Sequence, residues 1–129
     1  MILIFGGAYQ GKLAYARDRF GVIDADIYHY SEEKAAAEDI PGHTKIFNGT
    51  DKWILALIKA EVDVDSAIRR FIDTNPEGIV ICTDISCGIV PISAVERKWR
   101  EAVGRAMAEL SKASSEVVRV FCGIPTRIK

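Results

Sequence analysis

The residues with the clearest chemical meaning stand near the start of the chain, in the segment GGAYQGK at positions 6–12. This segment fits the first seven positions of the phosphate-binding loop (P-loop) pattern G-x-x-x-x-G-K-[ST]. Glycines at this spacing let backbone N–H groups curl around phosphate oxygens, and the lysine reaches the outer phosphates. The alternative to a phosphate-binding loop is an ordinary strand-to-helix turn that contains glycines and a surface lysine. The predicted nucleotide-binding residues are Gly6, Gly7, Ala8, Tyr9, Gln10, Gly11, Lys12 and Leu13.

The eighth position of the pattern departs from it. Leu13 stands where serine or threonine normally coordinates Mg²⁺ in P-loop enzymes. Leucine cannot ligate a metal, so Mg²⁺ must be held by another group, by phosphates and water alone, or not at all. Phosphate binding can survive this change, whereas efficient phosphoryl transfer is put in question.

The elements around the loop support the P-loop interpretation. Residues 2–5 form a short apolar run typical of a buried strand, and residues 11–20 have helical spacing. Further strands are predicted at residues 22–28, 44–48, 79–82 and 117–122. Further helices are predicted from Ser31, over 51–60, from Asp65, and from Ser93 to about residue 113. The chain is predicted to turn at Gly123-Ile124-Pro125 into a basic tail.

This alternation of strands and helices predicts the fold class. None of the predicted connections is a two-residue hairpin, which indicates parallel strands, right-handed crossovers and helices on both faces. We expect one α/β domain over residues 1–129, a three-layer P-loop NTPase-like (RecA-like) fold with a mostly parallel sheet.

Composition excludes several classes of protein. With 17 basic and 18 acidic side chains the net charge is −1, which is unlike a nucleic-acid binder. No stretch approaches the roughly 20 apolar residues that span a bilayer, and no signal peptide is recognisable. Cys82 and Cys122 each end an apolar run and are expected to be buried. The three cysteines lack metal-like spacing, so we expect no zinc site and a cytoplasmic protein.

The C-terminal half adds an ordered series of motifs. Gly-Ile-Val-Pro at 88–91 is followed by R-x-W-R-E-x-x-G-R at 97–105, and Cys-Gly-Ile-Pro at 122–125 precedes a final Ile-Lys. With the N-terminal loop, this series resembles the adenosylcobinamide kinase / adenosylcobinamide-phosphate guanylyltransferase family of cobalamin biosynthesis. The resemblance covers about the first 20 and the last 50 residues. It implies GTP or ATP as cofactor, adenosylcobinamide as a second ligand, and a homo-oligomer, often a trimer.

The chain departs from this family where the family carries a guanylyl-accepting histidine. The corresponding segment, residues 31–40, contains no histidine. His29 lies just before it and His43 just after it, and His43 looks more like a second, non-nucleophilic family histidine. Guanylyl transfer is therefore not expected.

Two further positions bear on the metal and on the substrate. The family's glutamate before Gly-x-Gly-Ile-Val-Pro becomes Asp84, a candidate catalytic carboxylate at the carboxyl edge of a strand, or else a loop cap. The family's magnesium-supporting aspartate becomes neutral Asn48, and Asp51 follows only in the next predicted helix. Gly104, inside a predicted helix, suggests close packing or approach to a ligand.

Three functional hypotheses remain. The first is a kinase-type enzyme that makes adenosylcobinamide phosphate, with Lys12 and Asp84 as catalytic residues. The second is a catalytically degenerate homologue that binds a nucleotide or a corrinoid as a regulatory or partner subunit. The third is a structural oligomerisation module. Leu13 and Asn48 replace the two side chains that would help to hold magnesium, and this favours nucleotide binding over catalytic turnover.

Overall fold

The computed structural model describes residues 1–32, 44–86 and 92–129. Within these ranges the strands are β1 (Ile2–Gly6), β2 (Ile27–His29), β3 (Ile46–Asn48), β4 (Ile79–Thr83), β5 (Glu116–Phe121) and β6 (Ile124–Arg127). The α-helices are α1 (Lys12–Phe20), α2 (Thr50–Lys59), α3 (Val64–Thr74) and α4 (Ala94–Ala113). A short 3₁₀ turn at Asp24–Asp26 precedes β2.

The strands form one sheet in the order β2-β3-β4-β1-β5-β6. The pairs β2–β3, β3–β4, β4–β1 and β1–β5 are all parallel. The carboxyl ends of β1 to β4 therefore meet at one edge of the sheet, where open α/β sheets bind ligands. The predicted α/β fold with a mostly parallel sheet, of the P-loop NTPase type, is confirmed.

Apolar side chains cover both faces of the sheet, because central parallel strands must be buried on both sides. On one face, β1, β3, β4 and β5 pack against α2, α3 and α4, around an aromatic cluster of Phe47, Trp53 and Phe71. On the other face, Ile4, Ile81 and their neighbours pack against α1. The two clusters give the expected three layers.

Helix starts follow local capping chemistry. Ser93 accepts a hydrogen bond from the backbone N–H of Glu96, so the predicted start of α4 is confirmed. The start predicted at Asp65 is wrong. Asp63 caps α3 by accepting from the N–H of Ser66 at 3.2 Å, and Asp65 lies within the first turn.

The strand predicted at residues 22–28 is mostly wrong. Ile27 is the first residue of β2, since the Asp26 carboxylate accepts from the N–H of Ile23 at 3.1 Å and closes the 3₁₀ turn before it. Aspartate commonly competes with strand pairing in this way.

The basic tail predicted after Gly123 is in fact the antiparallel edge strand β6. Cys122 (φ 50°) and Gly123 (φ 75°) form a two-residue hairpin turn with positive φ at both positions. That geometry matches the twist of the flanking strands, but Cys-Gly is not among its usual sequences. Cys122 is therefore exposed, contrary to expectation, whereas Cys82 is buried as predicted.

Gly104 shows no close packing within the described residues, and its approach to a ligand stays a prediction. Apart from its chain neighbours and the nearby backbone of α4, no atom of the described part of the chain lies within 4 Å of the place where a Cβ would stand. The helix predicted from Ser31 falls largely outside the described residues, as do His43, Cys87 and the motif at 88–91.

Candidate functional site

The predicted P-loop connects the central strand β1 to the amino end of α1. Gly11 is the residue before the helix and adopts a left-handed conformation, with φ 92°. Gly6 is needed for space, because a Cβ there would stand 2.2 Å from the carbonyl oxygen of Val120. Tyr9 has φ 57° and a fully exposed side chain at the tip of the loop. The loop conformation therefore depends on glycine at both ends.

The turn between β5 and β6 supports the loop from outside. The backbone N–H of Cys122 donates to Oε1 of Gln10 at 2.6 Å, and the N–H of Gly123 donates to the carbonyl oxygen of Gln10 at 2.8 Å. The Cα of Gly123 also lies 3.3 Å from the place of a Cβ on Gly11. The edge hairpin, which sequence analysis missed, thus fixes the middle of the loop.

Lys12 is the buried cation of the loop. Its side chain is only 8% exposed, and its Nζ donates to the carbonyl oxygen of Gly7 at 2.6 Å. Burial lowers the pKa of the ammonium, and the carboxylate of Asp51 opposes that shift. The lysine is held over its own loop, where an anionic ligand would offer it stronger partners.

A cavity of about 410 Å³ opens beside Lys12. We call its two sides the loop wall and the strand wall. The loop wall consists of Tyr9, Gln10, Gly11, Lys12, Leu13 and Ala14. The strand wall consists of His29, Tyr30, Asn48, Gly49, Asp51, Lys52, Ile81 and Thr83. Of the predicted binding residues, Gly6, Gly7 and Ala8 shape the loop but do not line the cavity.

Asp51 is a site residue to which the sequence pattern gave too little weight. It is 6% exposed in the first turn of α2, and its Oδ1 accepts from the backbone N–H of Thr83 at 3.1 Å. Its carbonyl oxygen accepts from the indole N–H of Trp99 at 2.7 Å. These contacts hold a carboxylate in the cavity wall, within the electrostatic reach of Lys12.

Asp84 lies beside the loop but does not line the cavity. Its backbone N–H donates to the carbonyl oxygen of Gly6 at 2.9 Å. Its Oδ1 accepts from the N–H and the hydroxyl of Ser86, at 2.9 and 2.5 Å. The carboxylate thus closes a local turn after β4, and its catalytic role stays a prediction.

Two polar side chains of the strand wall contact each other. His29 and Asn48 end β2 and β3 at the same register position, and Nδ2 of Asn48 lies 3.0 Å from Nδ1 of His29. Sequence analysis noted both residues separately. Their contact follows from the pairing of β2 with β3, which the sequence alone did not reveal.

The residues present do not fit the magnesium site of a P-loop enzyme. Leu13 packs against the cluster beneath α1 and offers no oxygen ligand. Asn48 is neutral and engaged by His29, and Asp51 is already bonded to Thr83 and faces a lysine. Within residues 1–32, 44–86 and 92–129, no group of three or more His, Cys, Asp or Glu side chains could hold a metal ion.

Comparison with protein families gives an independent result. The family described as cobinamide kinase / cobinamide phosphate guanyltransferase matches residues 43–128, a range that begins after the P-loop and includes Asn48, Asp51 and Asp84. No curated protein matches the chain. None of the helices in the described ranges has the length and apolar character needed to cross a membrane. The match covers well over half of the chain, which therefore belongs to the cobinamide kinase / cobinamide phosphate guanyltransferase family of cobalamin biosynthesis.

Proposed function

We propose that this family member binds GTP or ATP, with the nucleotide's phosphates against the loop wall. The observation that carries the proposal is Lys12, a buried ammonium bonded to its own loop beside a cavity of about 410 Å³. Burial of an ammonium is costly unless it gains a strong partner. Phosphate oxygens supply such a partner, and the amino end of α1 adds to the attraction.

We further propose that nucleotide binding, rather than turnover, is the main activity of the chain. Leu13 and Asn48 stand at the two positions that support magnesium in P-loop sites, and neither offers a charged ligand. The chain then acts as a regulatory or partner subunit that senses a nucleotide or binds a corrinoid. Guanylyl transfer is not part of the proposal, because the family's accepting histidine has no counterpart at residues 31–40.

Kinase-type transfer to adenosylcobinamide is the second candidate function. The observation that favours it is the closeness of two carboxylates to the loop: Asp51 in the cavity wall, and Asp84 bonded through its backbone to Gly6. Lys12 would then hold the transferred phosphate, and the two candidates differ in whether product forms.

Calorimetry with GTP and ATP, with Mg²⁺ or with EDTA, tests the proposal. We expect binding by at least one nucleotide in EDTA, and at least about a hundredfold loss of affinity in Lys12→Ala, because a charge-assisted contact is removed. Lys45→Ala is the matched control, since Lys45 is an exposed lysine that does not line the cavity. Unchanged affinity in Lys12→Ala would refute the loop assignment.

A turnover assay with adenosylcobinamide separates the two candidates. Nucleotide binding without adenosylcobinamide phosphate formation supports the binding function. Product formation that depends on Mg²⁺ and on Lys12 supports the kinase function instead. In Leu13→Ser, a gain of magnesium dependence would show that the lost hydroxyl is the main defect.

We also propose that the protein forms a cytoplasmic homo-oligomer, a trimer by family resemblance. The exposed edge strand β6, with Phe121, Ile124 and Ile128 exposed around it, supports self-association. Light scattering after size-exclusion chromatography measures the number of subunits, and a monomer at micromolar concentration would contradict this proposal.

A further inference from the structure

The strand wall places a histidine in the cavity that faces the P-loop. His29 ends β2, lines the same cavity as Lys12, and is exposed to solvent. Nδ2 of Asn48 lies 3.0 Å from Nδ1 of the ring. Both side chains are carried by paired positions of a parallel sheet, so their relative placement is built into the fold.

The orientation of the Asn48 amide in this contact sets which ring nitrogen carries the proton. With the amide nitrogen of Asn48 turned toward the ring, Nδ1 of His29 is the acceptor, because an amide nitrogen can only donate. The neutral ring then has its single proton on Nε2. Asn48 is thus a positioning residue that makes His29 a hydrogen-bond donor at Nε2. In this state Nε2 has no free lone pair with which to attack a nucleotide phosphate.

The hydrogen-bond donors of the cavity therefore form an unusual set for a P-loop. The loop backbone N–H groups, Lys12 and Nε2 of His29 can all donate to a ligand in the cavity, whereas Leu13 supplies no metal ligand. Donors of this kind bind phosphate oxygens directly. A carboxylate at position 48 would have had the opposite effect, because it would accept a proton from Nδ1 and leave Nε2 as an acceptor.

We propose that His29, held by Asn48, donates its Nε2–H to a phosphate oxygen of the nucleotide and takes the place that magnesium has in other P-loop sites. This inference rests on the proposed nucleotide binding. The chain then recognises the metal-free polyphosphate, with Lys12 on one side of it and His29 on the other.

The tautomer can be measured before any ligand is added. The chain has two histidines, so ¹⁵N spectra of the imidazole rings in the wild type and in His29→Gln assign His29 without ambiguity. We expect the Nε2–H tautomer in the free protein and the Nδ1–H tautomer in Asn48→Asp. An Nδ1–H tautomer in the wild type would overturn the inference.

Calorimetry in EDTA then measures the role of the donor. His29→Phe is expected to weaken GTP or ATP binding at least about tenfold, the effect of losing one hydrogen bond to a charged group. Asn48→Asp should weaken binding in EDTA and recover it with Mg²⁺, and Lys45→Ala should change neither. Circular dichroism confirms that each variant is folded.

The outcomes separate this inference from the function on which it rests. If wild type binds nucleotide and Lys12→Ala does not, but His29→Phe binds as tightly as wild type in EDTA, the inference fails and the proposed function stands. Nucleotide binding by the wild type that strictly requires magnesium would also refute the inference. Absence of binding by wild type under every condition would refute both.

Discussion

The two walls of the cavity differ in how many features of a P-loop enzyme site they contain. The loop wall has glycine at both ends, a buried lysine, and a helix that begins at that lysine. The strand wall has Asn48 and His29 where a cation-binding site needs charged oxygens, and its one buried carboxylate, Asp51, already accepts from Thr83. The loop wall therefore keeps the features that we propose to cradle phosphate, whereas the described residues of the strand wall do not fit a magnesium site.

The difference means that the residues proposed to bind phosphate and those at which a P-loop enzyme would support a metal belong to separate parts of the fold. The loop wall is formed by residues close in sequence, and the hairpin turn at Cys122 and Gly123 holds it from outside. The strand wall combines residues from β2, β3, α2 and β4, so changes there can alter the reaction while the loop keeps its shape.

The largest expected effect comes from filling the space at Gly6. In Gly6→Ala the new Cβ would stand 2.2 Å from the carbonyl oxygen of Val120, so the backbone of β1 or β5 must move. Overpacking of this kind costs about 3 kcal/mol of unfolding free energy, and displacement of the loop should abolish nucleotide binding. Urea denaturation measures the first effect and calorimetry the second.

Gly7→Ala is the matched control for that substitution. A Cβ at Gly7 would meet only the Cγ of Gln10, at 3.4 Å, and the backbone is outside the left-handed region. We expect a change within about 1 kcal/mol. Equal destabilisation by the two variants would show that the loop wall is not built as tightly as the contact between Gly6 and Val120 indicates.

The strand wall is tested by removing the charge of Asp51. Asp51→Asn keeps an oxygen for the N–H of Thr83 but takes a negative charge away from the phosphate site. We expect nucleotide binding in EDTA to become about tenfold tighter, because like-charge repulsion near a protein surface is of the order of 1 kcal/mol or more. The amide also removes the charge that opposes the lowered pKa of Lys12.

Asp65→Asn is the control for this charge change. Asp65 lies on α3, forms an ion pair with Arg105 on α4, and does not line the cavity. Its nucleotide affinity should equal that of wild type. A loss of magnesium-dependent binding in Asp51→Asn, with no gain in EDTA, would contradict the comparison, because Asp51 would then serve as a metal ligand.

The loop wall was predictable because its signals are local. Glycines at fixed spacing, an apolar strand before them and a helix after them are contained in residues 2–20, and the structure places β1 and α1 there. The mostly parallel sheet followed from the alternation of strands and helices. Both predictions depend on neighbours in sequence, where patterns are most informative.

The strand wall could not be derived in the same way. In the sequence Asp51 is only the first residue of a predicted helix, and the packing of α2 beside β4 is what brings it to the N–H of Thr83. The contact between His29 and Asn48 requires the pairing of β2 with β3, which no local pattern encodes. The β6 hairpin was missed because its turn uses an uncommon Cys-Gly pair.

The smallest expected effect is a substitution that touches neither wall. Gly104 lies inside α4, and no described atom outside its chain neighbours and the nearby helix backbone stands within 4 Å of a Cβ there. Glycine costs up to about 1 kcal/mol relative to alanine in a helix interior, so Gly104→Ala should stabilise the protein by about that amount. Thermal and urea unfolding measure the gain, and nucleotide affinity should stay as in wild type.

A loss of stability would mean that residues outside the described ranges, or a second subunit, pack against this glycine. A loss of nucleotide affinity would extend the site to α4, and the division into two walls would then be incomplete.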